Sequence, residues 1–141
     1  MIFWDSSALV PIILDEPATN AVRRLLEADH SMIVWWATPV ECLSAIARRE
    51  RDCTLTTAQA DAARHNLGQL MPSWNEVLAS ARVREHAGRL LLRHPLRSAD
   101  ALQLAAALTW ARDRPREHAV CTLDARLARA AKREGFRLAL E

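Results

Sequence analysis

The feature that most restricts how this chain can fold is an alternation of short apolar runs with longer segments of helical spacing. Ile2-Phe3-Trp4 and Met32-Ile33-Val34-Trp35 read as strands, Trp74 to Leu78 as a weaker one, Ala119-Val120-Cys121-Thr122 as a fourth, and Phe136 to Leu140, entered through Gly135, as a fifth. Between them, Ala18 to Ala28 carries Ala18, Ala21, Val22, Leu25 and Leu26 on one helical face. Thr38-Pro39 has the chemistry of a helix start, Thr as N-cap and Pro at the first helical position. Ala58 to Met71 is a more polar helix. Ser80 to His94 places Val83, Ala87, Leu90 and Leu91 together and stops at Pro95, Ser98 caps a helix to about Arg112 that is apolar on nearly every side, and Asp124 to Glu134 is the last. Strands alternating with helices predict an α/β domain around a mainly parallel sheet.

At 141 residues, the chain is expected to be a single domain over 1–141. A chain of this size buries roughly 68–70% of the surface its unfolded form exposes, so it needs neither disulfides nor a structural metal to fold. Cys42, Cys53 and Cys121 are isolated, which argues against a zinc site or disulfide framework and for reduced thiols in a cytoplasmic protein. With only 3 glycines there is no phosphate-cradling loop of the P-loop or dinucleotide type. The start lacks a basic segment, and the apolar stretch from Ala8 to Leu14 is too short to span a bilayer, so no membrane association is expected.

Four acids fall in related places: Asp5 directly after the first strand, Glu41 after the second, Asp100 at the start of the apolar helix and Asp124 after the fourth strand. Each alone has a structural explanation. Thr38-Pro39-Val40-Glu41 fits a capping box, and the three Asp residues complement helix dipoles. Their joint placement says more, because strand C-terminal ends and the helix starts that follow them share one edge of a parallel sheet, where ligands bind. Convergent carboxylates repel, and a divalent cation relieves that repulsion. An all-oxygen set without His or Cys suits Mg²⁺ or Mn²⁺ over zinc. Ser6, Ser7 and Thr122 are placed to add hydrogen bonds around the acids, or to cap the helices.

With these residues in view, the chain resembles the PIN-domain ribonucleases, and most closely the VapC toxins of type II toxin–antitoxin modules. The resemblance spans essentially the whole sequence. It rests on Ile2-Phe3-Trp4-Asp5-Ser6-Ser7-Ala8-Leu9-Val10, on Thr38-Pro39-Val40-Glu41, on Leu96-Arg97-Ser98-Ala99-Asp100-Ala101-Leu102-Gln103-Leu104-Ala105 and on Cys121-Thr122-Leu123-Asp124. It implies a three-layer α/β/α sandwich, with Asp5, Glu41, Asp100 and Asp124 around Mg²⁺ or Mn²⁺. It also implies endonucleolytic cleavage of structured RNA such as tRNA or rRNA, a small VapB-like antitoxin and a homodimer. Pro11 departs from the pattern, falling inside the expected first helix, where it removes a hydrogen bond or bends the chain.

The formal net charge is only +2, but residues 1–75 hold 6 basic and 9 acidic side chains while residues 76–141 hold 13 and 8. All basic residues but Lys132 are Arg, the better bidentate phosphate donor. An RNA-binding surface is therefore sought in the second half, on the dense run Arg82, Arg84, Arg89, Arg93 and Arg97, with Arg126, Arg129 and Arg133 striping the last helix. Of the adjacent pair Trp35-Trp36, one faces the core and the other is free for stacking or a dimer contact. Other classes fit less well. A haloacid-dehalogenase-type phosphatase needs an Asp where Ser7 stands, and a metal-free histidine ribonuclease would rest only on His86 and His94 sharing a helix. An inactive PIN-fold binding module and a non-toxin RNA-processing nuclease are the remaining alternatives, since a fold does not prove catalysis.

Overall fold

Every strand of the sheet runs the same way. In the computed structural model, which describes residues 1–141, β1 (Ile2–Trp4), β2 (Met32–Trp35), β3 (Trp74–Val77), β4 (Ala119–Cys121) and β5 (Arg137–Leu138) pair in parallel in the order β3-β2-β1-β4-β5. The connections carry α1 (Ser6–Ile13), α2 (Thr19–Ala28), α3 (Thr38–Arg51), α4 (Thr57–Leu70), α5 (Ala81–Arg93), α6 (Ser98–Trp110) and α7 (Ala125–Glu134). The chain first builds outward from β1 to β3, then crosses back to β4 and continues the other way. With right-handed crossovers, that reversal puts α1–α4 on one face and α5–α7 on the other.

Side chains alternate across the sheet, and both faces are buried. Ile2, Trp4, Met32, Val34, Ala119 and Cys121 point into a core with Leu9, Val22, Ile46 and Leu67. Phe3, Ile33, Trp35 and Val120 point into a second core with Val83, Leu90, Leu104 and Leu127. The three-layer α/β/α sandwich expected from the sequence is therefore the fold. α6 is the spine of the second layer: Ala101 and every residue from Gln103 to Leu108 are buried, as its all-round apolar sequence requires. The tryptophan pair divides as the strand period demands, Trp35 being 5% exposed and Trp36 55%.

Several local expectations are corrected. Thr38 is not the cap of α3: Ala37 holds that position without a side-chain bond, and Thr38 is fully buried inside the first turn. There is accordingly no capping box with Glu41; the chain's capping box lies at α4, where Thr56 and Gln59 exchange bonds. Ser98 likewise lies within α6, and Arg97 occupies its N-cap. Pro11 does not end α1, which continues to Ile13; the Pro11 carbonyl accepts the buried Thr19 hydroxyl at 2.8 Å. β5 is shorter than expected: the Phe136 N–H is taken by the Ala131 carbonyl at 3.0 Å, closing α7, and only Arg137 and Leu138 pair with β4.

Gly135 ends α7 at φ 105°, and a Cβ there would lie 3.3 Å from Cγ of Pro115. Gly135→Ala is expected to lower unfolding free energy by about 1–2 kcal/mol in urea titration, whereas Gly68→Ala, at an exposed helical position with open space, should raise it by about 0.5–1 kcal/mol. Burial and the nearby acids push the Cys42 thiol up to about 12, and burial with Asp5 does the same to Cys121, again to about 12. Cys53 is exposed. A thiol reagent at neutral pH should thus titrate one thiol in the native protein and all three after denaturation.

Candidate active site

The sheet order reverses between β1 and β4, so the two connections leaving their C-terminal ends diverge and open a crevice. Asp5 leaves β1 there, its N–H donating to the Cys121 carbonyl at 3.0 Å, and Thr122 leaves β4 alongside it. Asp5 caps α1 by accepting the Ser7 N–H at 3.3 Å, and Asp124 caps α7 by accepting the Leu127 N–H at 2.8 Å. Glu41 and Asp100 stand in the first turns of α3 and α6. All four acids thus begin helices, where the backbone dipole favours negative charge.

Asp5 is the buried member, 4% exposed. Its Oδ2 accepts hydrogen bonds from the hydroxyls of Ser7 and of Thr122, the latter at 2.9 Å. Those hydroxyls are anchored in turn: Ser7 Oγ accepts the Leu123 N–H at 2.9 Å, and Thr122 Oγ1 accepts the Asp124 N–H at 3.1 Å. The Ser6 hydroxyl donates to Glu41 Oε2 at 2.9 Å and lies 3.4 Å from Asp5 Oδ1. The three hydroxyl residues singled out in the sequence therefore all gather around Asp5.

Electrostatics tie the acids to one another. Burial raises the pKa of Asp5 against the pull of its hydrogen bonds, and Asp124 adds to the rise. Burial also raises Glu41, reinforced by Asp5 and Asp100, and raises Asp100, reinforced by Asp124. Asp5, Glu41 and Asp100 thus each feel at least one other acid of the set.

One participant was not singled out from the sequence. Gln103, on α6 one turn after Asp100, is 1% exposed, and its Nε2 donates to Glu41 Oε2 at 3.0 Å and to Thr38 Oγ1 at 3.1 Å. It clamps the start of α3 to α6. A lone amide in a run of Ala and Leu, three residues after an acid, was the available signal, since i and i+3 share a helix face. Glu41 Oε2 receives both donors, and Oε1 takes no hydrogen bond from the protein.

Two cavities open at this edge. One, about 460 Å³, is lined by Ser6, Glu41, Ser44, Arg48, Arg49 and Leu123; the other, about 510 Å³, by Arg97, Asp100, Asp124 and Arg126. Of the arginine run considered from sequence, only Arg97 lines either of them. Arg82 pairs with Asp113, Arg89 lies 3.1 Å from His86 Nδ1, Arg93 pairs with Glu134, and Arg84 lines a separate cavity beside Trp35. His86 and His94 are also engaged apart, His86 3.1 Å from Asp113 and His94 2.7 Å from Glu134.

As the side chains stand, no three of the chain's His, Cys, Asp and Glu residues form a group that could hold a metal ion. Asp5 Oδ2 is turned to its hydroxyl donors, Asp124 Oδ1 to the Leu127 N–H, and Glu41 Oε2 to Gln103 and Ser6. The donor chemistry nonetheless fits a hard divalent cation: the candidate donors are all oxygen, none of the four acids is in an ion pair, and Mg²⁺ is commonly held by one or two carboxylates with water completing its shell.

Comparison with known proteins agrees with this architecture. Residues 2–133 match the PIN domain family. The chain is 33% identical over 135 residues to Ribonuclease VapC46 of Mycobacterium tuberculosis (strain ATCC 25618 / H37Rv), covering 96% of this chain and 93% of that protein. It is 29% identical over 108 residues to Ribonuclease VapC45 of Mycobacterium tuberculosis (strain CDC 1551 / Oshkosh), covering 77% and 75%. Among solved structures, FitAcB from Neisseria gonorrhoeae superposes with a TM-score of 0.71 at 16% identity, covering 98% of this chain and 96% of that one. PAE2754 from Pyrobaculum aerophilum gives 0.68 at 16% identity, covering 98% and 83%. With its parallel sheet, its acids at the β1–β4 crevice and a family match along nearly its whole length, the chain belongs to the PIN-domain family, among the VapC proteins.

Proposed function

We propose that this chain is a divalent-metal-dependent endoribonuclease toxin of the VapC type, cutting structured RNA such as tRNA or rRNA. The observation that carries the reading is the buried Asp5 carboxylate, desolvated beside other acids and held by Ser7 and Thr122 instead of by a cationic side chain. A protein gains nothing in stability from such an arrangement, because like charges in low dielectric cost free energy until a cation joins them. The relatives named as VapC ribonucleases supply the reaction class.

Asp5, Asp100 and Asp124 are the residues to hold or orient Mg²⁺ or Mn²⁺, with Glu41 sharing ligation or acting as the base. When bound, the ion supplies acidification of water and neutralisation of charge on the phosphoryl oxygens. Glu41 Oε1, free of protein donors, is the atom to accept a proton from the attacking water, while Gln103 and Ser6 keep Oε2 in place. Water oxygen bonds to phosphorus, the bond to the 3′ oxygen breaks, that oxygen takes a proton from solvent water, and the products carry 5′-phosphate and 3′-hydroxyl ends. Ser7 and Thr122 keep Asp5 oriented throughout. No helix is long and apolar enough to cross a membrane. The proposed setting is the cytoplasm, as a homodimer silenced by a VapB-like antitoxin.

Inducing the wild type and Asp5→Asn in cells and mapping new RNA 5′ ends tests the reading. Growth arrest with discrete ends in the wild type alone is expected. Equal behaviour, or no cleavage by purified protein with Mg²⁺ or Mn²⁺, would favour an inactive binding module. In vitro, EDTA or Asp5→Asn should reduce cleavage at least about a hundredfold. Asp5→Asn should also stabilise the metal-free fold. Asp5, Glu41 and Asp100 have raised pKa values when folded, so the native state holds protons that the unfolded chain releases. Stability then falls as pH rises from the ordinary carboxylate range through the raised values. In EDTA, the variant should melt about 3–5 °C higher at neutral pH, with the gap closing in acid. Gln103→Leu, which leaves Glu41 with the Ser6 donor alone, should weaken Mn²⁺ affinity or turnover by about 10–100-fold; unchanged values in both assays would remove Gln103 from the machinery.

A further inference from the structure

Some arginines of this chain are neutralised in ion pairs, and three of the unpaired ones stand at the two cavities. Arg49 pairs with Glu16, Arg64 with Glu50 and Asp61, Arg82 with Asp113, and Arg93 with Glu134. Arg48, Arg97 and Arg126 are exposed and take part in no ion pair, although each lines a cavity that also holds a candidate catalytic acid. Arg97 and Arg126 are near enough to Asp100 to favour its ionised form through space, and the Arg97 backbone also hydrogen-bonds its carboxylate, yet neither guanidinium forms an ion pair with it.

The two cavities are neighbours, because Leu123 lines the first and Asp124 the second. Asp5 lies under that junction, joined to it through Ser7 and Thr122. An RNA strand laid across the acids meets repulsion at every phosphate that is not compensated. Compensation is needed on both sides of the cut, and free guanidinium forks suit it, since they bind phosphate oxygens in pairs. α3 provides it on one side through Arg48, two helical turns beyond Glu41. On the other side it comes from the N-cap of α6, Arg97, and the first turn of α7, Arg126.

We infer that the RNA backbone crosses the sheet edge from one cavity to the other, with Arg48 holding a phosphate on one side of the scissile bond and Arg97 and Arg126 holding phosphates on the opposite side. This rests on the ribonuclease reading above and specifies its substrate path. It also moves the RNA surface off the α5 run: Arg82 and Arg93 are spent on Asp113 and Glu134 and lie outside the track.

The test is RNA binding by the full chain carrying Asp5→Asn, in EDTA so that nothing is cut, read as fluorescence anisotropy of a labelled single-stranded RNA across a salt series. Arg48→Gln, Arg97→Gln and Arg126→Gln should each weaken binding about tenfold at low salt and flatten the slope of log K against log salt by about 0.7. Arg82→Gln and Arg93→Gln should leave the slope unchanged. Circular dichroism melts check that every variant folds. RNAs bearing one neutral methylphosphonate at successive positions then locate the contacts. The parent chain should be sensitive on both sides of the cut. Arg48→Gln should lose sensitivity at one position and Arg126→Gln at another. Loss at the same position, or slope changes confined to Arg82 and Arg93, would overturn the track while leaving the nuclease reading intact. Failure of the parent to bind any RNA would overturn the nuclease reading itself.

Discussion

Placing an ionisable carboxylate at the buried junction of β1 and β4 is the constraint around which the rest of this structure is arranged. Asp5 is almost completely removed from water, and burial opposes its charge. The protein answers with oriented hydroxyls, not a counter-ion: Ser7 and Thr122 donate to it, and backbone N–H groups from Leu123 and Asp124 hold those hydroxyls by their oxygens. That chain of donors requires the loop after β4 to lie against the start of α1. Such an approach is available only because β1 and β4 are neighbours in the sheet. The order β3-β2-β1-β4-β5 is thus a condition of the site as well as a description of the fold.

The helices divide the work between packing and chemistry. α6 contributes a nearly continuous buried surface to the second core and, at its N-terminal end, two polar residues one turn apart. Asp100 faces the second cavity, and Gln103 reaches across to Thr38 and Glu41. A displacement of α6 would therefore disturb the second core and the position of Glu41. Rigid placement of this kind suits catalysis, where a small misplacement of a reacting group is costly. The site stands on helix starts at the sheet edge, and the apolar layers beneath hold those starts in register.

Much of this was legible in the residues. Runs of three or four apolar residues placed β1, β2 and β4 to within a residue, because strands buried on both faces leave no polar position to blur them. The acids were legible as helix-start residues by their positions after those strands. The hydroxyls of Ser6, Ser7 and Thr122 were legible as supporting groups, but not the atoms that they would meet. Thr38 and Ser98 misled: both have cap chemistry, yet each lies inside its helix, whose N-cap is the residue before it, and the Thr38 hydroxyl goes to Gln103. Gln103 escaped notice because its partners lie 62 and 65 residues away, a distance no local pattern reports. For a related reason, density along the arginine run does not report which of its members meet acids in space, as Arg82 and Arg93 do with Asp113 and Glu134.

By itself, then, the sequence determined the class of fold, the succession of strands and helices, and the identity of the acids, because hydrophobic period and helix-start chemistry are local properties. Only the tertiary structure decided which of those acids is buried, which oxygen of Glu41 is left free, and which arginines are unpaired beside the crevice. Those outcomes depend on strand order and on contacts between residues far apart in the chain. Desolvation and charge pairing are set by three-dimensional neighbours, and the neighbours exist only once the sheet has closed around Asp5.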